Sequence, residues 1–225
     1  MSFLVIEGLY GSGKSTQIGM LKEYLEQKAI SYKYLHFPRL EEGIYGKLIA
    51  RFLRGEMGDI EQVDPYLVAL IFAGDRWEAK TLIEQWLADG YLVLVDRYVY
   101  SNIAFQCAKL HDPEEQKKLQ KWILDLEFGN YKLPSPELNI FLDVPFDFTK
   151  ERLTVGRTGN DRDYLNGQTD IHEQDLDFQG RVRKIYHSLC SDVDNISIVD
   201  CADKNGQMHS TDVIFEHLLD VISLP

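Results

Sequence analysis

Lys14 and Ser15 close an eight-residue run, GLYGSGKS, in which Gly8, Gly13, Lys14 and Ser15 meet the spacing GxxxxGK[ST]. Residue types in this pattern hold phosphate. Gly8, Gly11 and Gly13 let the backbone turn so that its amides, with that of Ser12 between them, face anionic oxygens. Lys14 offers a mobile cation to β and γ phosphates, Ser15 offers a hydroxyl to Mg²⁺, and Thr16 follows at the start of a helical pattern. A nucleoside triphosphate is the implied ligand.

Two other places could carry chemistry. An apolar run at 91–95 ends in Asp96-Arg97, which puts an acid suited to a Mg²⁺ shell beside a guanidinium suited to bidentate phosphate binding or to a salt bridge. Within LIFAGDRWEA, Phe72 and Arg76 stand four residues apart on one helical face. That pair can stack on a base and bond its carbonyl, or simply pack in a core and form an ion pair.

Such groups need a frame. Five β-prone runs, at 3–6, 34–37, 91–95, 138–142 and 196–199, alternate with helical patterns, and several are continuously apolar, as strands buried on both faces must be. This predicts a doubly wound α/β domain with a parallel sheet. Its ligands would bind beyond the carboxyl ends of the strands, where the glycine-rich loop, Pro38-Arg39 and Asp96-Arg97 fall. Ile18, Leu21 and Leu25 give the helix after the loop an apolar face. A second helix is expected from Pro113 to about Gly129, with Asp112 as cap and Glu115 closing a capping box. Its stripe of Leu119, Trp122, Ile123 and Leu126 suits core, or a homodimer interface as the lesser reading. The polar segment 156–174 reads as a mobile lid or a solvated loop.

Composition bounds the function. A chain of 225 residues, 44% hydrophobic and without a linker-like stretch, is expected to form one domain over 1–225. A net charge of −12 argues against a nucleic-acid polymer as partner. The start of the chain shows neither a basic leader nor a long apolar segment, so a cytoplasmic protein without membrane attachment is expected. Cys107, Cys190 and Cys201 have no metal-ligand spacing and suit reduced thiols.

Taken in order, FLVIEGLYGSGKST, FPR, LIFAGDRWEA, DRYVYSNIAFQ, LPSPELNIFLDV and DIHEQDLDFQGRVRKIY resemble the thymidylate kinase family over about residues 3–186. The DRY…S..AFQ run and the FAGDR helix are far more specific than the phosphate loop alone. The resemblance implies a P-loop nucleoside monophosphate kinase fold: a five-stranded parallel sheet, helices on both faces, and a short lid at about 156–174. It implies transfer of the γ-phosphoryl group of ATP to dTMP with Mg²⁺, and a homodimer. Carried over residue by residue, Lys14 and Ser15 handle ATP and metal, Asp96 the metal shell, Arg39 and Arg97 the dTMP phosphate, and Arg152 packs against adenine. Phe72 stacks on thymine, Arg76 bonds its O4, Ser101 and Gln106 complete the base pocket, and Phe105 closes the space a ribose 2′-OH would need. The family places a catalytic arginine either in the phosphate loop or in the lid; Gly11 points to the lid, nominating Arg157 and Arg162.

One position departs from the family. An acid that bonds the sugar 3′-OH is usual where this chain has Tyr10, whose phenol both donates and accepts. A related kinase with another acceptor is therefore the alternative. A GTP-binding switch is the other, on the formal DxxG match at Asp177-Phe178-Gln179-Gly180, although no NKxD motif accompanies it.

Overall fold

Apolar runs that must be covered on both faces become the strands of a parallel sheet. The computed structural model describes residues 2–60, 62–155, 165 and 170–222. In chain order the elements are β1 (Phe3–Gly8), α1 (Lys14–Gln27), β2 (Tyr32–His36), α2 (Gly43–Leu53), α3 (Pro65–Ala88), β3 (Leu92–Asp96), α4 (Val99–Cys107) and α5 (Pro113–Leu124). There follow β4 (Leu138–Asp143), α6 (Phe146–Val155), α7 (Ile171–Gln174), α8 (Leu176–Asp192), β5 (Ile196–Asp200) and α9 (Thr211–Ile222).

The five strands lie in the order β2-β3-β1-β4-β5, all parallel. Alternation along the strands feeds two cores. Phe3, Val5, Val93, Val95 and Phe141 face one side with Ile83, Ile103, Leu119 and Tyr186, while Leu4, Ile6, Leu94, Ile140 and Leu142 face the other with Leu21, Leu25 and Leu218. The chain steps from β1 out to β2, returns to β3, then crosses β1 to reach β4. Such a reversal opens a crevice beyond the carboxyl ends of the central strands, the usual ligand position in open α/β sheets. Register sets what meets there: Ile6 pairs with Asp96 and Gly8 with Leu142.

Helix ends follow local chemistry with two differences from expectation. Asp112 caps α5 by accepting from the Glu114 amide at 3.0 Å, but Glu115 ion-pairs Lys118 at 2.7 Å instead of closing a box. The α-helix also ends at Leu124, short of Gly129, and widens into a π-helical turn over Asp125–Asn130. That turn points Glu127 into the interior, where it is fully buried. The stripe of α5 is mostly core, Leu119 and Ile123 being buried and Trp122 packing on the same cluster. β2 is shifted two residues toward the N-terminus of its expected span at its start and one at its end.

Of the segment 156–174, Arg157 and Arg162 lie outside the described residues, as does the side chain of Arg152. Residues 177–180 lie within α8, where Phe178 and Gln179 are buried, not at a strand end as a switch motif requires. No helix among the described residues is long and apolar enough to cross a membrane. The three cysteines are free, and burial pushes the thiols of Cys107 and Cys201 up to about 12 and that of Cys190 up to about 11.

Candidate active site

The loop between β1 and α1 is shaped by its glycines. Gly11 and Gly13 take φ of 72° and 79°, a region that costs other residues about 1–2 kcal/mol each. A Cβ on Gly8 would come within 2.7 Å of Ser12 Oγ and 3.3 Å of the Lys14 side chain, so the strand end must be bare for the loop to fold back. Lys14 begins α1 with its ammonium turned over the loop, donating to Leu9 O at 3.4 Å. Among the described residues no side chain caps α1, and no acid stands in its first turn. The open amides and helix dipole there favour an anion. Ser12 Oγ is buried without a hydrogen-bond partner among the described residues.

Asp96 ends β3 on the α1 side of the sheet, close to this loop. Its Oδ1 is buried without a hydrogen-bond partner among the described residues, and its Oδ2 stands 4.0 Å from His36 Nε2. An unsatisfied buried carboxylate oxygen at the end of β3, in register with Ile6 of the strand that leads into the phosphate loop, fits a hard cation that takes few protein ligands.

On the opposite face of the sheet lies a cavity. Phe37, Pro38, Phe72 and Phe105 supply apolar walls, and Tyr10, Arg76, Arg97, Ser101, Asn102, Gln106 and His172 supply the polar ones. The helix α4 contributes four of these, because its residues 101, 102, 105 and 106 recur at helical spacing. Arg97 is held in a positive φ of 65°, with its amide donating to Ile6 O at 3.0 Å. Its guanidinium lies 5.0 Å from the ring centroids of both Tyr10 and Phe105 and donates to Ser101 Oγ at 3.2 Å.

Arg76 is engaged along one edge. Its Nε and Nη2 donate to Glu127 at 2.5 and 2.7 Å, and Asn102 Nδ2 donates to the same carboxylate at 2.9 Å and to Ala69 O at 3.0 Å. Burial alone would weaken the arginine's charge; the facing carboxylate more than restores it, and the pKa is raised. Because both partners of Asn102 Nδ2 are acceptors, the amide orientation is fixed. Its Oδ1 is left buried without a partner among the described residues, as are Gln106 Oε1 and His172 Nε2.

Arg39 stands elsewhere. Its Nε and amide bind Asp75 at 2.9 Å, Nη1 binds Glu42 at 2.9 Å, Nη2 bonds Asp75 O at 2.9 Å and lies 3.5 Å from Glu78, and it does not line the cavity.

Sequence reasoning does not single out Glu7, Asn102, Glu127 or His172. Glu7 had a signal, an acid inside an otherwise apolar strand run. His172 had none; its ring is fixed by Phe105, Phe178 and Phe52 at centroid distances of 5.3, 5.4 and 5.5 Å. Burial first, then the positive charges of Lys109 and Arg97, hold its pKa well below the ordinary value, so the imidazole is neutral. Tyr10, the departure from the resembled family's usual acid, places its hydroxyl 3.5 Å from the buried Asp170 carboxylate.

Lys109 allows a test of these buried charges. Its Nζ is buried without a hydrogen-bond partner among the described residues, 4.6 Å from the Phe52 ring centroid, and desolvation pushes its pKa down to about 7. The unfolded chain therefore binds more protons at this site between about pH 7 and 10.5, and its contribution to stability rises with pH across that window. Lys109→Met should raise the melting temperature at pH 7 by about 3–10 °C, from relief on the order of 1–3 kcal/mol. In melts from pH 7 to 10 the gap to the parent should narrow. A gap that stays constant would mean that the amine is not desolvated.

Comparison with known proteins agrees with this arrangement. The thymidylate kinase family model matches residues 6–211. A thymidylate kinase from Mycobacterium tuberculosis is 33% identical over 189 residues, 84% of this chain and 85% of that protein. The human thymidylate kinase is 32% identical over 209 residues, 92% of this chain and 86% of that protein. A solved thymidylate kinase structure from Candida albicans superposes with a TM-score of 0.71 at 27% identity, over 99% of this chain and 91% of that one. With a family match that begins in β1 and runs to the first residue of α9, through the phosphate loop and the cavity-lining helix α4, the chain belongs to the thymidylate kinase family.

Proposed function

We propose that the chain transfers the γ-phosphoryl group of ATP to dTMP, giving dTDP and ADP, within a single domain. The observation that carries the acceptor's identity is Asn102 Oδ1, a buried acceptor of fixed orientation on the wall of an aromatic slot. Thymine N3 carries a hydrogen that satisfies it. Phe72 stacks on the base, the Nη1 of Arg76 reaches O4, Ser101 and Gln106 complete the pocket, and Phe105 fills the space of a 2′-OH. Arg97 grips the acceptor phosphate. Arg39 joins it by exchanging Glu42 and Glu78 for phosphate oxygen while Asp75 keeps its place. Tyr10 and His172 border the sugar.

ATP is held by the amides of Gly8, Gly11, Ser12, Gly13 and Thr16, by Lys14, and by Arg152 against adenine. Ser15 and Asp96 would hold Mg²⁺, which would neutralise phosphate charge when bound. In phosphoryl transfer catalysis is positioning and electrostatic stabilisation, so the chain needs cations, not a strong base. Lys14 and Arg97 approach from the two sides, and Arg157 or Arg162 completes the set from the lid.

A coupled ADP-release assay across dTMP, dUMP, dCMP, dGMP and thymidine tests this reading. The 5-methyl group should give dTMP about a 10–200-fold advantage over dUMP, whereas dCMP, whose N3 leaves Asn102 Oδ1 unpaired, should fall by about 10⁴-fold. Equal rates for dTMP and dCMP would overturn it.

A homodimer in the cytoplasm is part of the proposal. Leu67, Leu70 and Trp77 form an exposed apolar stripe on α3, 59%, 37% and 51% accessible, which a second copy would cover. Sedimentation should give twice the chain mass, and Trp77→Glu should shift it toward the monomer; an unchanged mass would exclude α3 as the interface.

A further inference from the structure

We infer that Glu7 is a positioning residue for the acceptor phosphate: its carboxylate, reaching from β1, caps helix α4 and fixes Arg97 in a strained backbone conformation.

Glu7 is fully buried, one residue before the phosphate loop begins. Its Oε1 accepts from the amides of Tyr98 and Ser101 at 2.9 and 3.3 Å. Its Oε2 accepts from the Ser101 hydroxyl and from Tyr186 Oη, the latter at 2.9 Å, and the two hydroxyls stand 2.8 Å apart. Tyr98 is the N-cap of α4 and has no side-chain cap of its own. A helix start leaves amides that something must satisfy, and here a carboxylate from another element does so where the helix dipole also favours negative charge.

The consequence falls on Arg97, the residue just before that cap. Its φ of 65° is unfavourable for any residue with a Cβ and persists only where neighbours over-determine it. Two consecutive residues of β1 do this: Ile6 O accepts from the Arg97 amide, and the Glu7 side chain accepts from the next amide, Tyr98. The grip extends to the tip, since Ser101 Oγ, donating to Glu7, accepts from Arg97 Nη1. Strand β1 thus sets the phosphate loop by its backbone and the acceptor guanidinium by the Glu7 side chain, so the distance between the two halves of the site is built into one strand end.

A glutamine at position 7 keeps the shape but has one acceptor oxygen. Its amide hydrogens would turn the Ser101 hydroxyl proton toward the guanidinium, a donor facing a donor.

The inference rests on Arg97 binding the acceptor phosphate, so the test is a double-mutant cycle read in separate KM values. Glu7→Gln should raise the KM for dTMP about 10–100-fold, the loss of hydrogen bonds to a charged group, and leave the KM for ATP within about twofold. Glu7→Gln added to Arg97→Ala should raise the KM for dTMP by less than about twofold more, because residues acting through one another are not additive. Tyr186→Phe, which keeps its ring stacked on Phe141 at 4.4 Å, should give a smaller rise of the same kind even if Glu7→Gln folds poorly. A lower melting temperature with an unchanged KM for dTMP in Glu7→Gln and Tyr186→Phe, or full additivity with Arg97→Ala, would overturn the inference and leave the Arg97 reading standing. An unchanged KM for dTMP in Arg97→Ala itself would overturn both.

Discussion

Lys14→Ala should lower kcat by about 10²–10³-fold with little change in melting temperature. The ammonium starts α1 and leans over the loop, donating to Leu9 O at 3.4 Å, a long bond that is cheap to lose and easily exchanged for phosphate oxygen. What alanine removes is a mobile positive charge where negative charge spreads over the transferring group. Nothing else seen at the loop replaces it: α1 offers amides and a dipole, but the loop contains no second cation. The effect should fall on kcat more than on the KM for ATP, because the charge is worth more in the transition state than in the ground state. Steady-state ADP release at saturating dTMP measures both. A kcat within tenfold of the parent, or a pure KM effect, would restrict Lys14 to ground-state binding.

The frame of this site is legible because its rules are local. Runs of β-prone residues specify parallel strands, and each of the five appears with boundaries off by a residue or two, although only β1, β3 and most of β4 are buried throughout. Gly11 and Gly13 occupy the positive φ that the loop needs. The i, i+4 pair Phe72 and Arg76 does reach one wall of the cavity, as helical spacing requires. What the sequence hides depends on partners far along the chain. Arg76 meets Glu127 across 51 residues, and Glu7 meets Ser101 across 94. Glu127 is further disguised by the π turn, whose wider winding defeats a period of 3.6. Arg39 illustrates the reverse case: its place after β2 is readable, but its capture by Asp75, Glu78 and Glu42 is a tertiary fact. The resemblance to a family supplied roles for Arg39 and Tyr10, and for Arg97 the identity of the phosphate, that spacing alone does not.

Glu127 therefore makes the sharpest test of how the buried polar network divides between stability and recognition. Glu127→Ala should cost about 3–5 kcal/mol, because it strands the Arg76 charge and the Asn102 amide in the interior. That is a large share of a stability that in most domains amounts to about 5–15 kcal/mol. A buried ion pair can nonetheless be replaced as a whole at little cost, since two desolvation penalties disappear with it. The double variant Arg76→Met, Glu127→Met should accordingly recover most of the denaturant midpoint lost in Glu127→Ala. It should not recover recognition: with Arg76 gone, O4 loses its donor, and with Glu127 gone only Ala69 O still holds the Asn102 amide, so Oδ1 is less firmly fixed toward thymine N3–H. The selectivity for dTMP over dCMP should then fall from about 10⁴-fold toward unity in a variant that is stably folded. Urea titration and the acceptor assay on the same protein separate the two effects. If the double variant is stable and still selects dTMP, the specificity lies outside the Arg76, Asn102 and Glu127 network, with Gln106 and the cavity's aromatic walls as the remaining source.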